Sequence, residues 1–292
     1  MNQSGLYLET IQRVYPDFSV HSVKTNIHGQ NNNILIVNDA FIFRFPKYAD
    51  GIEKLEREIA ILKGIGDFIP IPIPHVIFEH MTPQIVGQVF VGYRFVPGVS
   101  LWRETLWNID EEAILERLAQ QLAQFLRELH RIPIETIIEQ QLPVADTYEE
   151  WSNIYSRIQA KCYPHMRSDA RIWATHHFET FLADAAHFAY KPVLKHGDFG
   201  PSNILFDLDE QIIRGIIDFG GAGLGDPAYD FAGILSSYGE AFLRRFSPIY
   251  PEMEASWDRI TFYQGTFALL EALFGIENQD QNAFKSGIKE YV

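Results

Sequence analysis

Short apolar runs separated by turn-forming residues fill the N-terminal third of the chain and predict strands. Apolar residues at helical spacing predict one short helix before Pro16 and a main helix that ends at Gly64. We therefore expect a small antiparallel sheet of five strands with one main helix. The predicted strands are Val20–Lys24, Ile34–Val37, Ala40–Phe45, His75–Phe78 and Gln88–Phe95, and the predicted helices are Leu6–Tyr15 and Asp50–Gly64.

The periodicity becomes helical beyond Pro97 and Gly98, which interrupt the segment GYRFVPGVSL. Asp110 is predicted to cap a long helix whose apolar stripe runs from Ile114 to Leu129. Further helices are predicted over 147–163, 168–188, 231–238, 239–246, 252–274 and 278–291. We expect an α+β protein with a β-rich lobe at 1–97, a helical lobe at 98–292 and a hinge where they join.

One β-rich stretch, residues 195–230, interrupts the helical part. It predicts two short strands, Asn203–Phe206 and Ile212–Ile217, joined by a turn. Asp198, Asn203 and Asp218 lie near the ends of these strands. Such a set suits phosphoryl transfer, because one carboxylate can orient and deprotonate a hydroxyl while a carboxamide and a second carboxylate hold Mg²⁺ on nucleotide phosphates. A hairpin with acidic turns is the plain alternative, and it leaves the flanking HGD and GDPxxD unexplained.

The sequence HGDFGPSNIL followed by IIDFGGAGLGDPAYDFA resembles the catalytic segment of the aminoglycoside phosphotransferases and their wider family. These are small-molecule kinases similar in fold to protein kinases. The chain matches the family order of HGD, an asparagine five residues on, DFG and GDPxxD. The C-terminal ALFGIENQDQNAFKSGI is also similar to the closing helices of the 2″-aminoglycoside enzymes. The resemblance implies a protein-kinase-like α+β fold, with the active site in a cleft between a nucleotide-binding and a catalytic lobe.

The resemblance also implies roles for residues near the nucleotide. Asp198 is expected to be the catalytic base, with Asn203 and Asp218 as Mg²⁺ ligands. Arg44 stands on the third strand where protein kinases carry lysine, and Glu58 is the acidic residue chosen as its partner. The remaining nucleotide-binding candidates are Gly29, Asn31 and Asn32 in the loop 28–33, and Tyr93, Phe95 and Val96 at the hinge. The hinge is expected to bind the nucleotide base through backbone atoms, which leave little trace in the sequence. The sequence therefore does not distinguish ATP from GTP as the phosphoryl donor.

A formal net charge of −14 disfavours nucleic acid as a partner and favours a cationic small molecule. Glu240, Glu271 and Glu277 are candidates to bind substrate ammonium groups. An aminoglycoside is the first choice of substrate, with a macrolide, a choline-like amine or a sugar metabolite as alternatives. A nucleotide-binding pseudokinase is disfavoured because Asp198, Asn203 and Asp218 are all present. A protein kinase is disfavoured because no long activation segment separates DFG from GDP.

Composition sets further limits. With 292 residues, 47% of them hydrophobic, the chain can bury a substantial core. No apolar stretch reaches the roughly 18 residues of a membrane span, and the N-terminus lacks the features of a signal peptide. The single cysteine, Cys162, excludes an intramolecular disulfide. We expect a cytoplasmic bacterial enzyme that is a monomer.

Overall fold

The computed structural model describes residues 3–26, 32–134 and 142–292. Its strands are β1 (Val23–Asn26), β2 (Asn32–Val37), β3 (Phe41–Pro46), β4 (Val76–His80), β5 (Phe90–Arg94), β6 (Val99–Ser100), β7 (Val193–Lys195), β8 (Ile204–Asp207), β9 (Ile212–Ile216) and β10 (Gly223–Gly225). The helices that follow in this article are α1 (Gln3–Val14), α2 (Asp50–Ile65), α3 (Arg103–Trp107), α4 (Glu112–Arg131), α5 (Tyr148–Lys161), α6 (Ser168–Ala183), α7 (Ala228–Tyr238), α8 (Glu240–Leu243), α9 (Trp257–Glu277) and α10 (Gln281–Ile288).

By their contacts the residues form two compact units. The first unit comprises residues 1–105, 132–141 and 201–222, and the second comprises 106–131, 142–200 and 223–292. The hairpin β8–β9 thus belongs with the N-terminal sheet by contact, although it lies far along the chain. The lobe boundary between residues 97 and 98 stays a prediction.

The first unit contains an antiparallel sheet in the order β1-β2-β3-β5-β4, which confirms the predicted five strands. The first strand begins at Val23 rather than at Val20. The reason is local, because the backbone N–H groups of His21 and Ser22 donate to the side chain of Asn38 at 2.7 and 3.2 Å. Those donors are therefore not available to a strand partner.

The two faces of this sheet carry different helices. Phe43 on β3 and Phe90 on β5 lie in one buried cluster with Tyr7 and Ile11 of α1. Side chains alternate along a strand, so the next residue, Arg44, points to the opposite face. On that face Val91 and Tyr93 pack against Leu55 and Ile59 of α2. This alternation directs Arg44 toward α2.

The hairpin β8–β9 is joined to the chain after β5 by a three-stranded sheet in the order β6-β8-β9. Gly98, just before β6, has φ +136°, and a Cβ there would lie 3.1 Å from the carbonyl oxygen of Phe206. The N–H of Ile216 also donates to the carbonyl of Pro72 at 3.0 Å. These contacts explain why the hairpin groups with the first unit.

The second unit is mainly helical, with the short antiparallel pair β7–β10 in addition. Its aromatic core joins three helices: Phe181 of α6 stacks on Phe262 of α9, and Trp151 of α5 lies 5.3 Å from the ring of Tyr263. No helix in the described ranges is long and apolar enough to span a membrane.

Several predicted helix bounds near the C-terminus were wrong. The helix predicted over 239–246 ends at Leu243 and continues as a 3₁₀ turn, and the helix predicted from 252 begins at Trp257 after another 3₁₀ turn. The last helix begins at Gln281 because the side chain of Asp280 accepts hydrogen bonds from the N–H groups of Asn282 and Ala283.

Candidate active site

A buried ion cluster in the first unit is centred on Arg44. Its Nη1 lies 2.5 Å from Oε1 of Glu58, and its Nη2 lies 2.9 Å from Oδ1 of Asp218. The hydroxyl of Tyr93 is 3.5 Å from Nη1. The predicted pairing of Arg44 with Glu58 is confirmed, whereas the contact with Asp218 was not foreseen, because no local pattern links residues 174 positions apart.

Burial and neighbouring charges shift the pKa values of Arg44 and Glu58 in opposite directions. Burial by itself would lower the pKa of Arg44, but Tyr93, Glu58 and Asp218 raise it well above its ordinary value, so the guanidinium stays charged. Burial raises the pKa of Glu58 although Arg44 opposes the shift. Burial likewise raises the pKa of Tyr93 to about 12. The cluster therefore presents one permanent cation whose position two carboxylates fix.

Asp218 adopts the left-handed conformation, with φ 63° and ψ 71°, directly before a 3₁₀ turn over Phe219–Gly221. Its side chain is 47% exposed, so the carboxylate is held by Arg44 and still reaches solvent. A Cβ at Gly220 would lie 3.3 Å from Oδ1 of Asp218 and 3.6 Å from Oε2 of Glu58. The glycine of DFG thus leaves room for the ion cluster.

Asn203 lies at the same end of the hairpin as Asp218. Ile204 pairs with Ile216 in the ladder, and the N–H of Ile217 donates to the carbonyl of Asn203 at 2.9 Å. Antiparallel pairing therefore brings the residue before β8 beside the residues after β9, as the spacing predicted. Asn203 is buried, with 5% of its surface exposed.

The carboxamide of Asn203 and the carboxylate of Asp218 are hard oxygen donors that fit Mg²⁺. Within the ranges that the structure describes, no group of three or more His, Cys, Asp and Glu side chains could hold a metal by itself.

The loop that carries Asp198 belongs to the second unit and is held by Asp230 of α7. The N–H of His196 donates to Oδ2 of Asp230 at 2.8 Å, and the N–H of Gly197 donates to Oδ1 at 2.9 Å. Gly197 has φ 76°, a conformation that favours glycine. Asp198 itself is exposed at the tip. Asp230 therefore braces the loop that carries Asp198.

Two histidines complete this arrangement. His130 at the end of α4 approaches Oδ2 of Asp230 with Nε2 at 3.0 Å, a contact that the sequence did not reveal. The N–H of Asp198 donates to Nδ1 of His196 at 3.3 Å, so His196 also braces the loop. Burial would raise the pKa of the Asp230 carboxyl, but the hydrogen bond and charge of His130, together with His196, lower it below 3.8. Asp230 is therefore a buried anion with its donors in place.

Asp226 of the GDPxxD motif has a structural role. Its Oδ1 accepts from the N–H of Ala228, the first residue of α7, at 3.0 Å, and the helix thus begins three residues before the predicted start at residue 231. Its Oδ2 accepts from Nε of Arg259 at 2.6 Å and from the hydroxyl of Tyr263 at 2.9 Å. The sequence did not reveal these two partners on α9.

The other predicted nucleotide-binding residues are distributed as follows. Gly29 and Asn31 lie outside the described residues, and Asn32 is the first residue of β2. Tyr93 lies inside β5, and the N–H of Phe95 donates to the carbonyl of Ala40 at 2.8 Å. Because that donor is engaged in the sheet, a base contact from Phe95 would use only its carbonyl. The next residue, Val96, is half-buried.

The three predicted substrate carboxylates differ in their surroundings. Glu240 is exposed and pairs with Arg244 at 3.1 Å, and Glu271 is exposed on α9. Glu277 contacts two cations, Arg157 and Lys161, and the hydrogen bond from Arg157 is the main reason that its pKa falls to about 2. These ion pairs give Glu277 a role in joining α5 to α9.

A family model and a curated relative both assign the chain to the phosphotransferases. The model of a family described as the phosphotransferase enzyme family matches residues 22–263. Viomycin phosphotransferase from Streptomyces vinaceus is 30% identical over 287 residues, which cover 97% of each chain. A macrolide 2′-phosphotransferase type I, at 19% identity and a TM-score of 0.77, shares the fold.

Solved structures agree with this result. The GDP and kanamycin complex of APH(2″)-IIia is similar, with a TM-score of 0.88, 29% identity, and coverage of 97% of this chain and 96% of that one. The GDP complex of wild-type aminoglycoside 2′-phosphotransferase-IIIa has a TM-score of 0.90, 28% identity, and coverage of 99% and 97%. They confirm the predicted kinase-like fold. The chain therefore belongs to the phosphotransferase enzyme family and is a phosphotransferase.

Proposed function

We propose that this enzyme transfers the γ-phosphoryl group of ATP or GTP to a hydroxyl group of an aminoglycoside antibiotic. The observation that carries the proposal is the bridging of Glu58 and Asp218 by Arg44, since it places a fixed cation beside a carboxylate that suits Mg²⁺. The names of the relatives support an antibiotic as acceptor, because viomycin phosphotransferase is 30% identical and the kanamycin complex 29%.

Asp198 is proposed to orient the acceptor hydroxyl and to take its proton. It is exposed, while the backbone on its N-terminal side is held by two hydrogen bonds to buried Asp230. A carboxylate on a fixed loop loses little freedom when the acceptor binds, which favours a reactive geometry.

Arg44, Asn203 and Asp218 are proposed to act on the nucleotide phosphates. A guanidinium has five N–H donors, so Arg44 can contact Glu58 and Asp218 and still offer hydrogen atoms to a phosphate oxygen. Asn203 and Asp218 would hold Mg²⁺, which when bound neutralises charge on the phosphates. Gly29, Asn31 and Asn32 remain predicted phosphate contacts, and Val96 with the carbonyl of Phe95 remain predicted contacts of the base.

Exposed carboxylates are proposed to attract the ammonium groups of the acceptor, in keeping with the net charge of −14. Glu240 contacts one cation, Arg244, but its side chain is 61% exposed, so it keeps this role in the proposal together with Glu271. Glu277 leaves it, because Arg157 and Lys161 already neutralise its charge. We further propose that the enzyme acts as a cytoplasmic monomer.

A coupled nucleotide-turnover assay tests the proposal. ATP and GTP are supplied separately with Mg²⁺ and a panel of aminoglycosides, viomycin, macrolides, choline-like amines and sugars. Turnover with an aminoglycoside that disappears in Asp198→Asn supports the proposal, and mass spectrometry then locates the phosphate. Turnover with another class alone reassigns the acceptor. Nucleotide binding without turnover of any acceptor on the panel contradicts the proposal of an aminoglycoside acceptor and moves the search to other hydroxyl-bearing metabolites or to a scaffolding role.

A further inference from the structure

A buried ion pair connects Lys195 with Asp146, although 49 positions separate them. Nζ of Lys195 lies 2.6 Å from Oδ2 of Asp146, and the two side chains are only 7% and 5% exposed. Lys195 is the last residue of β7 and directly precedes His196, so it stands where the loop with Asp198 begins. None of the roles proposed above uses either residue.

The main chain fixes Asp146 on one side of this pair. The N–H of Ala145 donates to the carbonyl of Leu224 in β10 at 2.8 Å. Asp146 then turns with φ 63°, and its N–H donates to Oε2 of Glu150 at 2.6 Å. Thr147 follows as the N-cap of α5. Asp146 is thus the fixed point between the contact of residues 144–145 with β10 and the start of α5.

Lys195 is fixed on the other side by β10 and α7. It pairs with Gly223 in the β7–β10 ladder, and its Nζ lies 3.9 Å from the ring centroid of Tyr229. Oδ2 of Asp146 accepts a second hydrogen bond, from the N–H of Asp226 at 3.1 Å. The pair therefore joins the start of α5, the end of β7, β10 and the start of α7.

Gly225 shows how closely this pair is packed. A Cβ at this position would lie 2.3 Å from Oδ2 of Asp146 and 2.8 Å from Cε of Lys195. Real Cβ atoms do not approach other atoms so closely, so a side chain at residue 225 would displace the ion pair. The glycine of GDPxxD is thus explained by the space that Lys195 and Asp146 occupy.

We propose that Lys195 and Asp146 are positioning residues for phosphoryl transfer. Their ion pair holds Lys195, where the loop that carries Asp198 begins, while Asp230 holds the next two residues, His196 and Gly197. The proposal rests on the proposed role of Asp198. A buried ion pair adds little net stability over a neutral pair of similar volume, but it favours one geometry. Through Asp146 the same pair makes the position of the loop depend on the start of α5.

The double variant Lys195→Met/Asp146→Asn tests this role. Asparagine tolerates the left-handed backbone of residue 146 and keeps an acceptor for the N–H of Asp226. Each single change leaves one buried group without its partner and lowers the melting temperature, and the double variant regains most of that loss. We expect kcat of the double variant to remain at least about tenfold below that of the unaltered enzyme. Its KM for the nucleotide should stay within about twofold of the unaltered value.

Recovery of kcat together with the melting temperature would overturn the proposal, because the pair would then act through stability alone. The matched control is Arg245→Met/Glu112→Gln, which removes a more exposed ion pair of the same unit. Its kcat should equal that of the unaltered enzyme.

A second readout needs no substrate. Amide hydrogen exchange of the peptide spanning residues 194–200 should accelerate in the double variant, because His196 and Gly197 lose the fixed start of their loop. Unchanged exchange would overturn the positioning role even if an acceptor is never found. Asp198→Asn separates the two proposals, since it should abolish turnover and leave this exchange unchanged.

Discussion

Arg44 donates a hydrogen bond to Asp218, with 2.9 Å between Nη2 and Oδ1, and with its other terminal nitrogen it binds Glu58. The cation on β3 is therefore tied both to the helix packed on its sheet and to the aspartate of DFG. This arrangement makes the position of Asp218 depend on α2. It gives Arg44 a role in charge balance inside the unit, which mutation can separate from its proposed attraction of phosphate.

Replacement of Arg44 separates these functions. Arg44→Lys keeps the charge but cannot reach both carboxylates through a planar fork, so nucleotide affinity should fall about tenfold or more, given roughly 1.5–3 kcal/mol for a charged hydrogen bond. Arg44→Met should also destabilise the fold, because it leaves Glu58 buried without a cation. Titration calorimetry and thermal unfolding measure the two effects.

The control for that experiment is Arg44→Met/Glu58→Gln. Removing both charges should restore part of the stability and none of the nucleotide affinity. Restored affinity in this double variant would show that Arg44 does not contact phosphate.

Asp198→Asn should lower kcat by a factor of about 10² to 10⁴, the usual contribution of a general base. Asp198 is exposed, so the melting temperature should hardly change. Asp209→Asn, an exposed change in the turn between β8 and β9, is the matched control and should leave kcat unaltered. Equal activity of the two variants would exclude Asp198 as the base.

Asp230 should make stability depend on pH in the acid range. Its pKa is lower in the folded protein than its ordinary value of 3.8, so its stabilising effect is complete above that value and is lost as the pH falls through the folded pKa. Asp230→Asn should lower the free energy of unfolding at pH 7 and weaken its decline below about pH 3.8. Urea unfolding of both proteins at several pH values measures this difference, and parallel curves would contradict it.

Gly233→Ala should disturb the loop of Asp198 from its other end. A Cβ at this position of α7 would lie 2.3 Å from the carbonyl oxygen of Phe199. The helix or the loop must shift, so we expect about 1–3 kcal/mol of destabilisation and a lower kcat. Gly223→Ala is the control, since a Cβ there meets nothing within 4 Å. A Gly233→Ala enzyme with normal kcat would show that the loop tolerates movement.

Much of the site was predictable because its signals are local. Asp198, Asn203 and Asp218 stand at fixed spacings in one ordered motif, and antiparallel pairing brings Asn203 and the residues after β9 to the same end of the hairpin. The alternation of β3 placed Arg44 on one face of the sheet, and helical periodicity left Glu58 as a candidate on α2. Strand and helix ends were less predictable, because side chains such as Asn38 and Asp280 take backbone donors.

The sequence by itself determined the five-stranded sheet, the helical remainder and the ordered motif of a phosphotransferase, since all three depend on periodicity and short spacings. Tertiary structure alone decided which charges that are distant in the sequence meet. Arg44 with Asp218, His130 with Asp230, and Lys195 with Asp146 are 174, 100 and 49 positions apart. Buried charges require partners in a low-dielectric interior, but which partner lies within reach depends on how the elements pack, and no local pattern records that packing.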